Sequence, residues 1–229
     1  MRKIVLDTET TGLDPRQGHR VIELAAIELD GRKVSVRRFH RYLNPEREID
    51  AGAAAVHGLT YERLQNEAKF ADIASSFLEF IEGAELIIHN APFDIGFLNH
   101  ELGLLGLPLL QNAVTDTLKV AREMHPGKKN SLDALCGRYE IDNAHRTLHG
   151  ALLDTELLAE VYFAMTRGQE SLLGEDVHKT RQPAVLSIDA SRPKLRVLQP
   201  SAEELAEHAQ QLADIDKASK GSCLWLQLE

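Results

Sequence analysis

Residues 4–13 read IVLDTETTGL, an apolar β-branched run that passes into two acids one residue apart. Ile4 to Leu6 predicts a short buried strand that ends at Asp7. Asp7 and Glu9 stand at i and i+2, so on an extended backbone both side chains leave on the same face, about 7 Å apart along the chain. That is a platform for metal ligands. Working outward, residues 20–29 (RVIELAAIEL) and 33–43 (KVSVRRFHRYL) predict two further strands, joined by the hairpin dipeptide Asp30-Gly31. Three antiparallel strands therefore open the fold.

From Thr60 to about Gly83 the spacing of Phe70, Ile73, Phe77 and Ile81 is helical, and Leu86-Ile87-Ile88 predicts a fourth strand. Residues 93–105, 116–124 and 131–139 read as helices, with a brief strand at 113–115 between the first two. A last helix covers about 150–166. The order βββαβαβαα predicts an α/β fold, a mixed sheet flanked by helices. After Gly168 the periodicity fades. Residues 169–193 read as a flexible linker. Beyond it, Ser201 and Glu204 form a capping box ahead of Leu205, Ala209, Leu212 and Ala213, which predicts a small folded C-terminal element.

Bulk composition limits the possibilities. The 229 residues, 43% of them hydrophobic, suffice for one well-buried domain with an appendage. No signal-type segment opens the chain and no apolar stretch approaches the ~18 residues of a membrane span. A cytoplasmic protein without a membrane partner is expected. Cys136 and Cys223 are far apart and lack metal-type spacing, so both are expected to be reduced thiols. The net charge of −9 argues against a phosphate-rich partner. That argument weakens if bound metal ions supply the positive charge that the side chains lack.

Three more residues complete a chemical set. Asp94 falls in the first turn of a helix that follows Pro92, where the helix dipole favours a carboxylate. His149 and Asp154 are five apart, about 140° around an ideal helix, so they share no face if both are helical. His149 is therefore expected on the loop before the last helix, and Asp154 in its second turn. Hard oxygen ligands without thiols select Mg²⁺ or Mn²⁺, and two such ions ~3.5–4 Å apart can clamp the attacking and leaving oxygens of a phosphodiester. Histidine suits the remaining task, taking a proton from water at neutral pH.

The segments VLDTETTGL, AAAVHGL, HNAPFDIGFL and LHGALLDTELLAEVY resemble the motifs of the DEDD exonuclease superfamily, in the subgroup with an H-x4-D motif. The resemblance implies a ribonuclease H-like fold and release of nucleoside 5′-monophosphates from a 3′ end. It makes Asp7, Glu9, Asp94 and Asp154 ligands of two divalent cations and His149 the general base. It also implies that Val56, His57, Asn90 and Phe93, with Asp7 and Glu9, shape the pocket for the terminal nucleotide. DNA proofreaders and RNA trimmers share these motifs, so the core leaves both open.

The tail separates them. KLRVL at 194–198, the capped helix and KGSCLW at 220–225 resemble the C-terminal segment of the epsilon proofreading subunits of bacterial DNA polymerase III. In that family the segment binds the polymerase catalytic (alpha) subunit. Leu224, Trp225, Leu226 and Leu228 form a terminal apolar cluster, and exposed clusters of that kind mark interfaces. Gln169, Leu172 and Leu173 lie in a short stretch that resembles the peptide by which replication proteins bind the sliding clamp. The expected organisation is an exonuclease domain at 1–168, a linker at 169–193 and a polymerase-binding segment at 194–229. Single-stranded or frayed DNA 3′ ends are the expected substrate, and the resemblance leaves room for a small accessory subunit. A free-standing RNA-trimming or single-strand exonuclease is the alternative.

Overall fold

The computed structural model describes residues 2–144, 146, 148–167 and 199–227. The chain divides into two units, Met1–Glu175 and Asp176–Glu229. In the first, strands β1 (Lys3–Thr10), β2 (Val21–Asp30), β3 (Lys33–Tyr42), β4 (Glu85–Ile88) and β5 (Val114–Asp116) form one sheet in the order β3-β2-β1-β4-β5. β1, β2 and β3 are antiparallel, whereas β4 pairs parallel to β1 and β5 parallel to β4. The mixed sheet predicted from the strand order is the one observed.

Seven α-helices belong to this unit among the described residues: α1 (Ala51–His57), α2 (Tyr61–Leu64), α3 (Phe70–Ile81), α4 (Ala91–Leu104), α5 (Thr117–Met124), α6 (Leu132–Tyr139) and α7 (Ala151–Thr166). Alternation along β1 sorts them into two layers. Ile4 and Leu6 enter a core with Phe70, Phe77 and Ile81 of α3 and Phe97, Leu98 and Leu102 of α4. Val5 enters the opposite core, with Leu135 of α6 and Leu157, Leu158 and Val161 of α7. Each fully buried Phe or Leu contributes about 1.5–3 kcal/mol relative to exposure. The same alternation sends Thr8 toward α4, and Asp7 and Glu9 toward α7.

Several elements differ from expectation for identifiable reasons. β1 does not stop at Asp7 but runs to Thr10, because β2 pairs with it along its whole length, down to Glu9↔Glu23 and Thr10↔Val21. Backbone pairing carries the strand through polar residues that apolar patterning ignores. The helical stretch after Thr60 is broken into α2 and α3, the latter opening where the Asp72 carboxylate accepts a hydrogen bond from Lys69 N. α1 was not anticipated. Its AGAAAVH has no apolar period, but alanine favours helix intrinsically. Among the described residues no helix is long and apolar enough to cross a membrane.

In the second unit α8 (Ala202–Ala218) opens with the predicted capping box: Ser201 Oγ accepts from Glu204 N, and the Glu204 carboxylate from Ser201 N at 2.7 Å. A short 3-10 turn, Leu224–Gln227, follows. The proposed linker, with Gln169, Leu172 and Leu173, lies outside the described residues, as do Leu228 and the KLRVL stretch.

α1 ends at Gly58, which takes a left-handed conformation at φ 71°. A Cβ there would also meet Leu148 Cδ1 at 2.6 Å. Gly58→Ala should therefore cost at least the ~1–2 kcal/mol of a left-handed non-glycine residue in urea denaturation. It should also speed exchange of the neighbouring His149 amide, which donates to Val56 O at 3.0 Å. Parent-like stability and exchange would show that this contact carries no weight.

Candidate active site

Pairing between β1 and β4 ends at Val5↔Ile87, and β1 continues four residues past the next position without a neighbour on that side. The chain leaving β4 turns at His89-Asn90 into α4, whose first turn fills the gap. Asp94, 3% exposed, accepts hydrogen bonds from Thr8 N at 3.0 Å and Thr8 Oγ1 at 2.7 Å. A carboxylate thus takes the hydrogen bond a strand would have offered, and α4 is pinned to β1 beside Asp7 and Glu9. Asn90 makes the turn in the left-handed region, φ 66°, which Asn tolerates better than most side chains. Its N–H is held by Asp116 Oδ1, which also caps α5.

Across the cleft, α7 supplies Asp154 and the segment before it supplies His149. His149 lies on the loop as expected. Asp154 lies in the first turn of α7 rather than the second, because the helix begins only at Ala151. One cleft of about 670 Å³ is lined by Asp7, Glu9, Asp94, His149 and Asp154 together with Asn90 and Phe93. Within it, ligand atoms of Glu9, His149 and Asp154 lie within 4.8 Å of one another. Val56 and His57 do not line the cleft. They belong to the end of α1, where Val56 O receives the His149 amide and His57 Nδ1 accepts from Leu59 N.

Crowding four acids has an electrostatic cost. Burial, then Asp94, Glu9 and Asp154 nearby, pushes the Asp7 carboxyl well above its ordinary range. Burial, with Asp154 and Glu23 adding repulsion, raises Glu9 to about 8. Asp94 is raised by burial against the opposing pull of its Thr8 hydrogen bonds. Such a set, offering oxygen ligands whose charges are mutually unfavourable, fits divalent cations, since two ions would relieve the repulsion that burial creates.

Two residues of the site escaped the sequence reading. Glu23, 3% exposed, accepts from Ala151 N at 3.2 Å through Oε2 while Oε1 lies 2.8 Å from His40 Nε2. It caps α7 and so locates the loop that carries His149. Its signal was present: an acid inside the apolar run RVIELAAIEL is costly unless it has a partner. Arg146 donates from Nε to Asp154 Oδ1 at 2.6 Å and from Nη2 to Oδ2 at 2.7 Å. Nothing in the spacing of the loop announced it.

The raised carboxyls set the pH behaviour of the protein without divalent cations. A group whose folded pKa lies above its unfolded value stabilises fully below the unfolded value and loses that contribution as pH climbs through the folded one. For Glu9 the window runs from about 4.5 to about 8. In chelator, stability should fall across this window, and Glu9→Gln should flatten the fall. An identical pH slope in the variant, measured by chemical denaturation, would place the burden on other groups.

Comparison with known proteins agrees with this geometry. Residues 4–162 match a family described as Exonuclease. The DNA polymerase III subunit epsilon of Salmonella typhimurium is 49% identical over 236 residues, covering 98% of this chain and 97% of that protein. That of Escherichia coli is 48% identical with the same coverage, and that of Rickettsia felis 48% identical over 96% of this chain and 99% of its own. Among solved structures, exonuclease X in complex with 5′-overhanging duplex DNA is similar with a TM-score of 0.58 at 23% identity, covering 73% of this chain and 92% of that one. The nuclease domain of 3′hExo, described as a DEDDh family member bound to rAMP, has a TM-score of 0.64 at 17% identity with the same coverage. These structures share the ribonuclease H-like fold. The chain belongs to the exonuclease family and, within it, to the DNA polymerase III epsilon subunits.

Proposed function

We propose that this chain is the proofreading subunit of a bacterial replicative DNA polymerase, a divalent-cation-dependent 3′→5′ exonuclease that releases nucleoside 5′-monophosphates from a frayed primer end. The observation that carries this is the convergence of Asp7, Glu9, Asp94, His149 and Asp154 in one cleft, in a chain alike over nearly its whole length to epsilon subunits. Asp7, Glu9, Asp94 and Asp154 would hold two cations, Mg²⁺ or Mn²⁺, which supply charge stabilisation to the phosphodiester displacement.

The other steps fall to the chain's own groups. Phe93 packs against Phe97 with ring centroids 5.0 Å apart and faces the cleft, so it offers a terminal base a supported stacking surface. Asn90, fixed by Asp116, stands at the rim beside it. Val56 and His57 border the His149 loop, from where they would complete the nucleotide pocket. His149, nearly half exposed, reaches solvent and takes the proton of the attacking water. Contacts of this kind read no base identity. Mismatch preference follows because a mispaired terminus costs less to unstack and enters the cleft more often.

The tail fits a tether. No residue of α8 is buried, and Trp225 is 72% exposed beside an exposed Leu226. Large apolar side chains left open in this way suit a protein partner. We assign residues 194–229, Leu224 and Trp225 included, to docking on the polymerase alpha subunit, residues 1–168 to catalysis and 169–193 to the linker. A linker holds the nuclease at millimolar-scale effective concentration near the primer end while letting it reposition. A sliding clamp at Gln169, Leu172 and Leu173 and a small accessory subunit are further partners of this reading.

Asp7→Ala should abolish metal-dependent release of nucleoside monophosphates from 3′-labelled single-stranded DNA. His149→Ala should keep cation binding and lower the rate on the order of 10²–10⁴-fold. A parent-like rate in either variant refutes that residue's role. Trp225→Ala should weaken co-purification with the polymerase alpha subunit and leave the free exonuclease rate unchanged. Undiminished co-purification would remove Trp225 from the docking surface.

A further inference from the structure

We propose that Arg146 is the protein's own competitor for the metal position at Asp154, and that it leaves this carboxylate and His149 together when a divalent cation binds. The inference rests on Asp154 being a metal ligand, as read above.

The guanidinium engages Asp154 in a planar fork, Nε on Oδ1 at 2.6 Å and Nη2 on Oδ2 at 2.7 Å. Both carboxylate oxygens are occupied, in the plane where a cation would bind. An Mg²⁺ ion needs oxygen ligands at about 2.0–2.1 Å. At that distance it would face a like charge only a few ångströms away, inside a protected cleft, since the Arg146 side chain is 6% exposed. Guanidinium and metal therefore compete for this carboxylate. Among the described ion pairs, Asp154 is the one acid of the four that receives a basic side chain, so the competition is confined to one half of the site.

His149 is tied to the same cation. Arg146 Nη2 lies 3.0 Å from His149 Nδ1, and a guanidinium only donates, so Nδ1 must accept. The neutral ring then carries its proton on Nε2. Departure of Arg146 would release both Asp154 oxygens and His149 Nδ1 in one movement. The guanidinium also has somewhere to stay: Nη1 donates at 2.7 Å to Asp133 Oδ1, on a half-exposed carboxylate at the start of α6. Asp133 allows Arg146 to pivot out without becoming a lone buried charge.

The test uses the full chain. Mn²⁺ titration followed by electron paramagnetic resonance should give about ten- to a hundredfold tighter binding in Arg146→Gln, the equilibrium weight of charge-assisted hydrogen bonds no longer broken. Arg146→Lys should fall between. Equal or weaker binding in Arg146→Gln would make the arginine a strut of the loaded site and overturn the proposal. A measurement on the parent avoids any folding defect: in ¹⁵N-labelled protein, saturable Mg²⁺ addition should shift the Arg146 Nε–H resonance and speed its exchange with solvent. A resonance that ignores Mg²⁺ overturns the proposal equally. Asp154→Asn separates the two assignments. If it leaves Mn²⁺ affinity unchanged, the metal-ligand reading fails. If it lowers affinity while Arg146→Gln does not raise it, only the role of Arg146 falls.

Discussion

The site depends on a mismatch in strand length. β1 pairs with β2 to its end, but its pairing with the parallel strand β4 ends at Val5. Past that point one edge of β1 is open, with backbone donors that must be satisfied. Asp94 satisfies one of them at Thr8, and this places α4 against the strand. The position agrees with a general rule for open α/β sheets, in which ligand sites form beyond the carboxyl ends of parallel strands. Here the opening is bounded on one side by α4 and on the other by α7, and each helix delivers one acid from its first turn.

Electrostatics makes that arrangement expensive and useful at once. Asp7, Glu9 and Asp94 share a poorly solvated cleft, and burial alone pushes each toward its neutral form. Protons or divalent cations relieve the repulsion in such a site, which is why this set of acids suits metal ions. Asp154 differs because Arg146 already neutralises it. His149 sits on a loop held by two hydrogen bonds to backbone amides: the Val56 carbonyl on the His149 amide and Glu23 on the amide of Ala151. α1 and β2, remote from the chemistry in sequence, thus set where His149 stands.

Much of this was legible in advance. Apolar periodicity marked β2, β3 and α7 within a few residues and the body of α3, and a capping box marked the start of α8, because these signals are local. The four acids of the cleft were legible because Asp7 and Glu9 repeat at strand spacing and because Asp94 and Asp154 stand near helix starts. α1 was not, since AGAAAVH folds by intrinsic propensity without an apolar stripe. The full extent of β1 was not, since its last residues are polar and are held by pairing with β2.

The linear chain by itself determined the reaction class, through residue types at strand and helix spacings, and the presence of a separate C-terminal helix, through its cap. Only the tertiary structure decided which groups meet. That Thr8 would bind Asp94, that Glu23 would cap α7 from a neighbouring strand, and that Arg146 would close on Asp154 and His149 are contacts between segments set by sheet order and loop path. No local pattern encodes them, because their energies depend on distances that exist only once the two helical layers have packed on the sheet.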